Sequence, residues 1–147
     1  MGLDLKLILI PVMVALITQL IKFLTSSTQR RTLDWGTLIQ YGGMPSGHTA
    51  FVIALMTVVG YAAGIASAAF AVATALAIVV IRDAVSFRQY LSRYGHALNL
   101  LLKEHPERAE ASIPKGLEER LGHTPAQALV GAVIGFVLST LFYIIIP

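Results

Sequence analysis

The chain has 147 residues, 56% of them hydrophobic and only 13% charged, with no cysteine. That length holds one domain; so little charge excludes an ordinary soluble fold, and long apolar runs put the chain in the membrane class. Lack of cysteine excludes disulfides and thiolate metal sites, and the net charge of +3 does not indicate nucleic acid, because the basic residues flank apolar runs as interfacial Lys and Arg do.

The first apolar run covers residues 5–24 and is interrupted only by Lys6, Thr18, Gln19 and Lys22. A helix of about 20 residues crosses the hydrocarbon core. No small-residue cleavage site follows, since Gln19, Lys22 and Phe23 stand there, so the run reads as a retained span and not a signal peptide. Residues 25–41 are polar and lead into Gly42-Gly43-Met44-Pro45-Ser46-Gly47-His48. A second run extends from residue 49 to about 63 and a third from about 65 to 81, joined through Gly60 and Gly64 without a charge, which predicts a hairpin across the bilayer. Residues 82–122 form the longest polar stretch. Within it Leu91, Tyr94, Leu98 and Leu101 recur at helical spacing beside Arg88, Arg93 and Lys103, the pattern of an amphipathic helix lying on the membrane. Residues 105–116 read as an exposed loop. The last run, residues 126–146, carries Gly131 and Gly135 at the spacing that lets helices approach closely. The expected fold is therefore all-α: a single domain, residues 1–147, of about four transmembrane helices plus one interfacial amphipathic helix.

Four spans put the end of span one, the 25–48 loop and the 82–123 segment on one membrane face, with the termini and the Gly60–Gly64 turn on the other. Of the 11 Lys and Arg residues only Lys6 lies on the terminus side. The positive-inside rule then predicts a cytoplasmic charged face in a multi-pass protein of the cell inner membrane.

This topology brings Lys22, Ser46 with His48, Arg82 with Asp83 and Arg88, and Arg120 with His123 to one depth. Cations and imidazoles at an interface suit a lipid with a phosphate head: the tail stays in the bilayer while Lys and Arg neutralise phosphate oxygens. Pro45 and Pro125 suit first helical turns, and Thr124 is a helix cap, so His48 and His123 would both stand at helix starts, which bind anions by themselves. Two histidines suggest a division of labour. One attacks phosphorus and becomes a phosphohistidine; the other protonates the leaving alkoxide. Neither cofactor nor metal is required, because cations and helix starts stabilise the transferring group. The plainer readings are a snorkelling anchor for Lys22, an interfacial ion pair for Arg82 and Asp83, and packing against a helix neighbour for Gln127. His96 and His105 receive no role.

Gly42 to Ala50, Gly-Gly-Met-Pro-Ser-Gly-His-Thr-Ala, resembles the central motif of the type 2 phosphatidic acid phosphatases and vanadium haloperoxidases. Arg82-Asp83-Ala84 with Arg88, Leu121-Gly122-His123-Thr124-Pro125, and Gln19 with Lys22 look like the shorter, divergent bacterial branch of that superfamily. The resemblance implies His48 as general acid, His123 as nucleophile, and Lys22, Ser46 and the Gly47 backbone as phosphate ligands. It also marks departures. Gln29-Arg30 stands where the family has Arg-Pro, Lys115-Gly116 where it has Ser-Arg, and Gln127 where it has the aspartate that orients the nucleophilic imidazole. Gln127 can orient that ring by hydrogen bonding but not by charge; Arg88 or Arg120 would supply the missing guanidinium and Asp83 the missing carboxylate.

The expected function is thus a metal-independent phosphatase acting on a membrane lipid phosphate, of the phosphatidic acid, phosphatidylglycerol phosphate or polyprenyl phosphate type. The departures equally fit a non-catalytic lipid-phosphate binder on the same scaffold. A homodimer is compatible with either, because four short spans bury little area.

Overall fold

The computed structural model describes residues 3–30, 43–105, 116–119 and 121–147. Its helices are α1 (Leu3–Arg30), α2 (Gly47–Ala63), α3 (Ala68–Arg82), α4 (Arg88–Glu104) and α5 (Pro125–Ile145), with a π-helical turn, Asp83–Phe87, between α3 and α4. No strand occurs among the described residues. Helices α1 and α5, and the run that begins with α3, are each long and apolar enough to cross a bilayer, while α2 is a shorter apolar helix. The protein is an all-α membrane bundle.

Helix α2 is the hub, packed against α5, α1 and α3, and α1 also meets α5. Its core is small: Ile10 and Val14 of α1 close on Ala50, Ala54 and Val58 of α2. Periodicity explains the face that α1 buries. Ile10, Val14, Thr18 and Lys22 recur every four residues and are all buried, whereas Ile8, Val12, Leu16, Leu20 and Leu24 face outward. In lipid such an outward apolar face is the expected exterior, since hydrocarbon is its solvent.

Close approach of α2 and α5 depends on the two glycines of the last span. A Cβ on Gly131 would stand 2.4 Å from the Ser46 carbonyl oxygen, and one on Gly135 would stand 2.5 Å from that of Ala50. Backbone meets backbone there, and only glycine permits it. The hairpin between α2 and α3 forms where the chain predicts it. Gly64 ends α2 at φ +85°, and Ser67 caps α3 by accepting from the Phe70 amide at 3.1 Å.

Two expectations change. Helix α2 starts at Gly47 with Ser46 as its cap, so Pro45 lies just outside the helix and not in its first turn. The amphipathic stretch forms the expected helix, α4, but with no break before it: α3, the π turn and α4 run on continuously, Ala68–Glu104. The fifteen residues of α3 and the five of the π turn rise roughly 30 Å at 1.5 Å each, the hydrocarbon thickness, so α4 begins where the core ends.

On the terminus side Lys6 donates to the Ile146 carbonyl at 2.6 Å, at the C-terminal end of α5, and stands 5.4 Å from the ring centroid of Tyr143, which stacks on Tyr61. That layer of aromatic rings and a lysine is typical of a membrane interface. From Lys6 to Lys22, sixteen residues along one helix span about 24 Å. Lys22 therefore lies near the opposite hydrocarbon boundary.

Candidate active site

Lys22 ends the buried stripe of α1, and at 5% exposure it faces the bundle interior and not the lipid. Its Cε lies against Gly43, where a Cβ would be 3.1 Å away. Gly43 itself has φ +86°, a left-handed conformation that favours glycine. The Gly43 carbonyl meets Nδ1 of His123 at 3.0 Å. A carbonyl oxygen can only accept, so Nδ1 carries the proton and the lone pair of neutral His123 sits on Nε2.

His123 is held from two further directions. Its backbone amide donates to the Ala84 carbonyl of the π turn at 3.0 Å, and its own carbonyl accepts from Gln89 Nε2 at 2.8 Å. It is 6% exposed. Burial holds its imidazole below the ordinary histidine value, the Gly43 carbonyl acting in the opposite sense and the nearby charges of Lys22 and His48 adding to the depression. At neutral pH the ring is an unprotonated base.

Gln127 serves mainly to start α5. Thr124 and Gln127 form a capping box: the Gln127 amide donates to Thr124 Oγ1 at 3.3 Å and the Thr124 amide to Gln127 Oε1 at 3.0 Å. The Gln127 side chain also makes a polar contact with His123. Pro125 is in the first turn, as its sequence position predicts.

His48 occupies the second position of α2 and is exposed. Its electrostatic neighbours are Arg88, Asp83 and Lys22, and it in turn acts on His123. The amides of Gly47 and His48 open α2, where no intrahelical carbonyl can reach them. Ser46 sits differently from its expected place on the phosphate. Its side chain is fully buried, 3.0 Å from Thr49 Oγ1, and caps α2. Its amide donates to the Gln127 carbonyl at 3.3 Å, joining the starts of α2 and α5.

Asp83 is not the carboxylate behind His123. It accepts from Arg88 Nε at 2.8 Å, and the Gly43 carbonyl takes the position at Nδ1. Nor does Asp83 pair with Arg82 in the interfacial ion pair open from sequence. In an α-helix residues five apart point about 140° away from each other at 100° per residue. The π turn bonds residue i to i+5, Arg88 N–H to Asp83 O, and so brings their side chains together. Arg88 is thereby aimed at the His48 side of the site. Arg120 lies outside the described residues. Among the described residues no group of three or more His, Cys, Asp and Glu could hold a metal ion.

Two grooves flank the start of α5. One, of about 510 Å³, runs between α3 and α5 past Ile78, Ile81, Leu129 and Ala132 to Arg82 and Ser86. The other, of about 610 Å³, lies between α1 and α5 and ends at Gly43, Pro45 and Gln127. Both are mainly apolar and open outward.

Sequence reasoning misses the Gly43 carbonyl, because a backbone acceptor leaves no residue signature beyond the glycine. It also misses Gln89, Ser92, His96 and Asn99. Their spacing of three, four and three marks a polar stripe on α4, but nothing local shows what the stripe holds.

The chain is similar over 131 residues, at 34% identity, to the uncharacterized membrane protein YuiD of Bacillus subtilis (strain 168), covering 82% of this chain and 83% of that one. No solved structure matches it. Residues 3–138 match the Divergent PAP2 family, and both the match and this relative span nearly all of the bundle that carries the two histidines, so the chain belongs to that family.

Proposed function

We propose that this protein is a metal-independent lipid phosphate phosphatase that works through a phosphohistidine at His123. The observation that carries the reading is the Gly43 carbonyl on Nδ1, which leaves the Nε2 lone pair of a buried, neutral imidazole as nucleophile. In the first step Nε2 of His123 bonds to phosphorus while the bond from phosphorus to the lipid oxygen breaks. His48, which partial desolvation and the neighbouring Arg88 hold below the ordinary histidine value until the negative charge of the phosphate stands beside it, is protonated in that complex and gives its proton to that oxygen, so the lipid leaves as an alcohol. In the second step neutral His48 takes a proton from water, whose oxygen attacks phosphorus. The P–N bond breaks, inorganic phosphate leaves, and both imidazoles are restored.

Lys22, Arg88 and the amides of Gly47 and His48 supply positive charge to the transferring phosphoryl group. Asp83 acts at one remove, holding the Arg88 guanidinium. Gln127 helps orient His123 through its capping box. The two apolar grooves suit acyl or prenyl chains that stay in the bilayer while the head reaches the site. The same reading puts the charged face in the cytoplasm of a cell inner membrane and is compatible with a homodimer.

The test is phosphate release, in chelator, from phosphatidic acid, phosphatidylglycerol phosphate and a polyprenyl phosphate in nanodiscs. Turnover that vanadate inhibits and that His123→Ala abolishes, with the variant still folded, is the expected result. Full activity in His123→Ala rejects the nucleophile. A second reading, a lipid-phosphate binder without turnover, is favoured by the burial of the Ser46 hydroxyl in the cap of α2, which takes one polar group out of the catalytic set. Saturable binding with no release across the panel would establish it.

A further inference from the structure

The segment that delivers His123 lies along α4, and four polar side chains on one stripe of that helix hold it there. Asn99 makes a two-way bond with Leu117, its Nδ2 donating to the Leu117 carbonyl at 2.8 Å and its Oδ1 accepting from the Leu117 amide at 2.8 Å. Nδ2 also donates to Glu119 Oε1 at 2.7 Å. His96 Nδ1 donates to Glu119 Oε2 at 2.9 Å, and the Ser92 hydroxyl to the Glu119 carbonyl. Gln89 closes the series on the His123 carbonyl.

Pairing runs antiparallel: residue 117 lies by 99, 119 by 92 and 96, and 123 by 89. Most of these bonds address backbone, so they set where the segment lies whatever its side chains are. Two glycines make the fit flush. A Cβ on Gly95 would stand 2.8 Å from the Glu118 carbonyl, and one on Gly122 would stand 2.8 Å from the Gln89 amide nitrogen. Helix α4 has the π turn as its main helical neighbour. The clasp is therefore the chief tie between α4 and the stretch that ends at the imidazole.

We infer that Asn99, about 15 Å along α4 from Gln89 by helical rise, is a positioning residue for His123, acting with Glu119 as the anchor of an α4 clasp. The clasp stands on its own geometry; its catalytic consequence rests on the phosphohistidine reading.

Amide hydrogen exchange in nanodiscs tests the clasp without any activity. In the wild-type protein the amides of Leu117 and His123 exchange slowly. In Asn99→Ala, exchange across residues 116–123 rises about tenfold or more, while peptides from α1 and α5 stay unchanged. Fast exchange of this segment in the wild-type protein overturns the clasp, as does an unchanged rate in the variant.

Kinetics then tests positioning. Asn99→Ala lowers kcat by about tenfold or more and leaves KM within about twofold, because a displaced nucleophile loses rate and not lipid affinity. Asn99→Asp sets a carboxylate against Glu119 and does the same. Asn99→Asp with Glu119→Gln recovers part of the rate, since the new amide donates to the new carboxylate while the donor to the Leu117 carbonyl stays lost. A rise in KM at constant kcat, or no recovery in the double variant, overturns the positioning role. Should the wild-type protein turn over no lipid phosphate while exchange behaves as described, the phosphatase reading and its positioning role fall and the clasp remains.

Discussion

Replacing Gly131 by alanine separates the starts of α2 and α5, and its effect can be sized from the packing. The added Cβ would lie 2.4 Å from the Ser46 carbonyl oxygen and 3.2 Å from Ser46 Cβ, whereas ordinary contact begins near 3.4 Å, so the helices must part by about 1 Å. The neighbours are backbone and the cap of a helix, so neither can rotate away. Overpacking of this kind costs about 1–3 kcal/mol. The Ser46 amide to Gln127 carbonyl bond, already 3.3 Å long, does not survive such a shift. That bond ties the helix start bearing His48 to the helix start preceded by His123. A misplacement of about 1 Å at reacting groups costs on the order of a hundredfold in rate. We therefore expect Gly131→Ala to lower the melting temperature by several degrees, at about 2–4 °C per kcal/mol, and to remove most phosphate release. Gly135→Ala, one turn deeper, should destabilise similarly with a smaller loss of activity. Val133→Ala, on the lipid face, should change neither. The assay is thermal unfolding in detergent beside turnover in nanodiscs. Wild-type melting and wild-type turnover in Gly131→Ala would refute the view that backbone contact between α2 and α5 sets the site.

The acid limb of kcat/KM should fall below the ordinary histidine value of 6.5, because burial depresses His123 and the nucleophile must be neutral. The same depression has a sign for stability. As pH falls, the unfolded chain takes up its proton near 6.5 before the folded one does, so stability is lost between 6.5 and the lower folded value, which unfolding across that window would detect. Lys22→Met, an apolar chain of similar size, should leave the protein folded yet abolish turnover; loss of folding together with turnover would make Lys22 structural. Gln127→Asp puts a carboxylate near the imidazole, which favours imidazolium, and the acid limb should move up by about one unit or more; an unmoved limb would place the new carboxylate out of reach.

Much of the architecture is legible in the sequence because lipid solvent leaves long apolar runs few options. The four runs, the Gly64 hairpin, the Thr124-Pro125 helix start and the close packing at Gly131 and Gly135 all follow from local chemistry. What local chemistry does not carry is partnership across the chain. Asp83 belongs to Arg88 only because a π turn replaces an α turn, and no residue pattern in Asp83–Phe87 announces that. Ser46 has the composition of a phosphate ligand and of a helix cap alike, and burial decides for the cap. Lys22 looks like a snorkelling anchor until the four-residue stripe from Ile10 is seen to face the interior. His96 looks idle until Glu119 arrives beside it from a segment twenty-three residues away.

The departure at Gln127 gains its meaning from Gly43. A carboxylate on Nδ1 would stabilise imidazolium by a charge-assisted bond, roughly twice as strong as a neutral one. A carbonyl fixes the same tautomer without that charge, so the ring stays neutral beside Lys22 and His48. The carbonyl points at His123 while the chain turns to enter α2 with residue 43 at φ +86°, a conformation that favours glycine, and a Cβ there would crowd Lys22 Cε at 3.1 Å. One glycine thus joins the lysine of α1, the start of α2 and the imidazole ahead of α5. The Gly-Gly-Met-Pro-Ser-Gly-His stretch and the Gly-His-Thr-Pro stretch, eighty residues apart at Gly43 and His123, are two halves of one hydrogen bond.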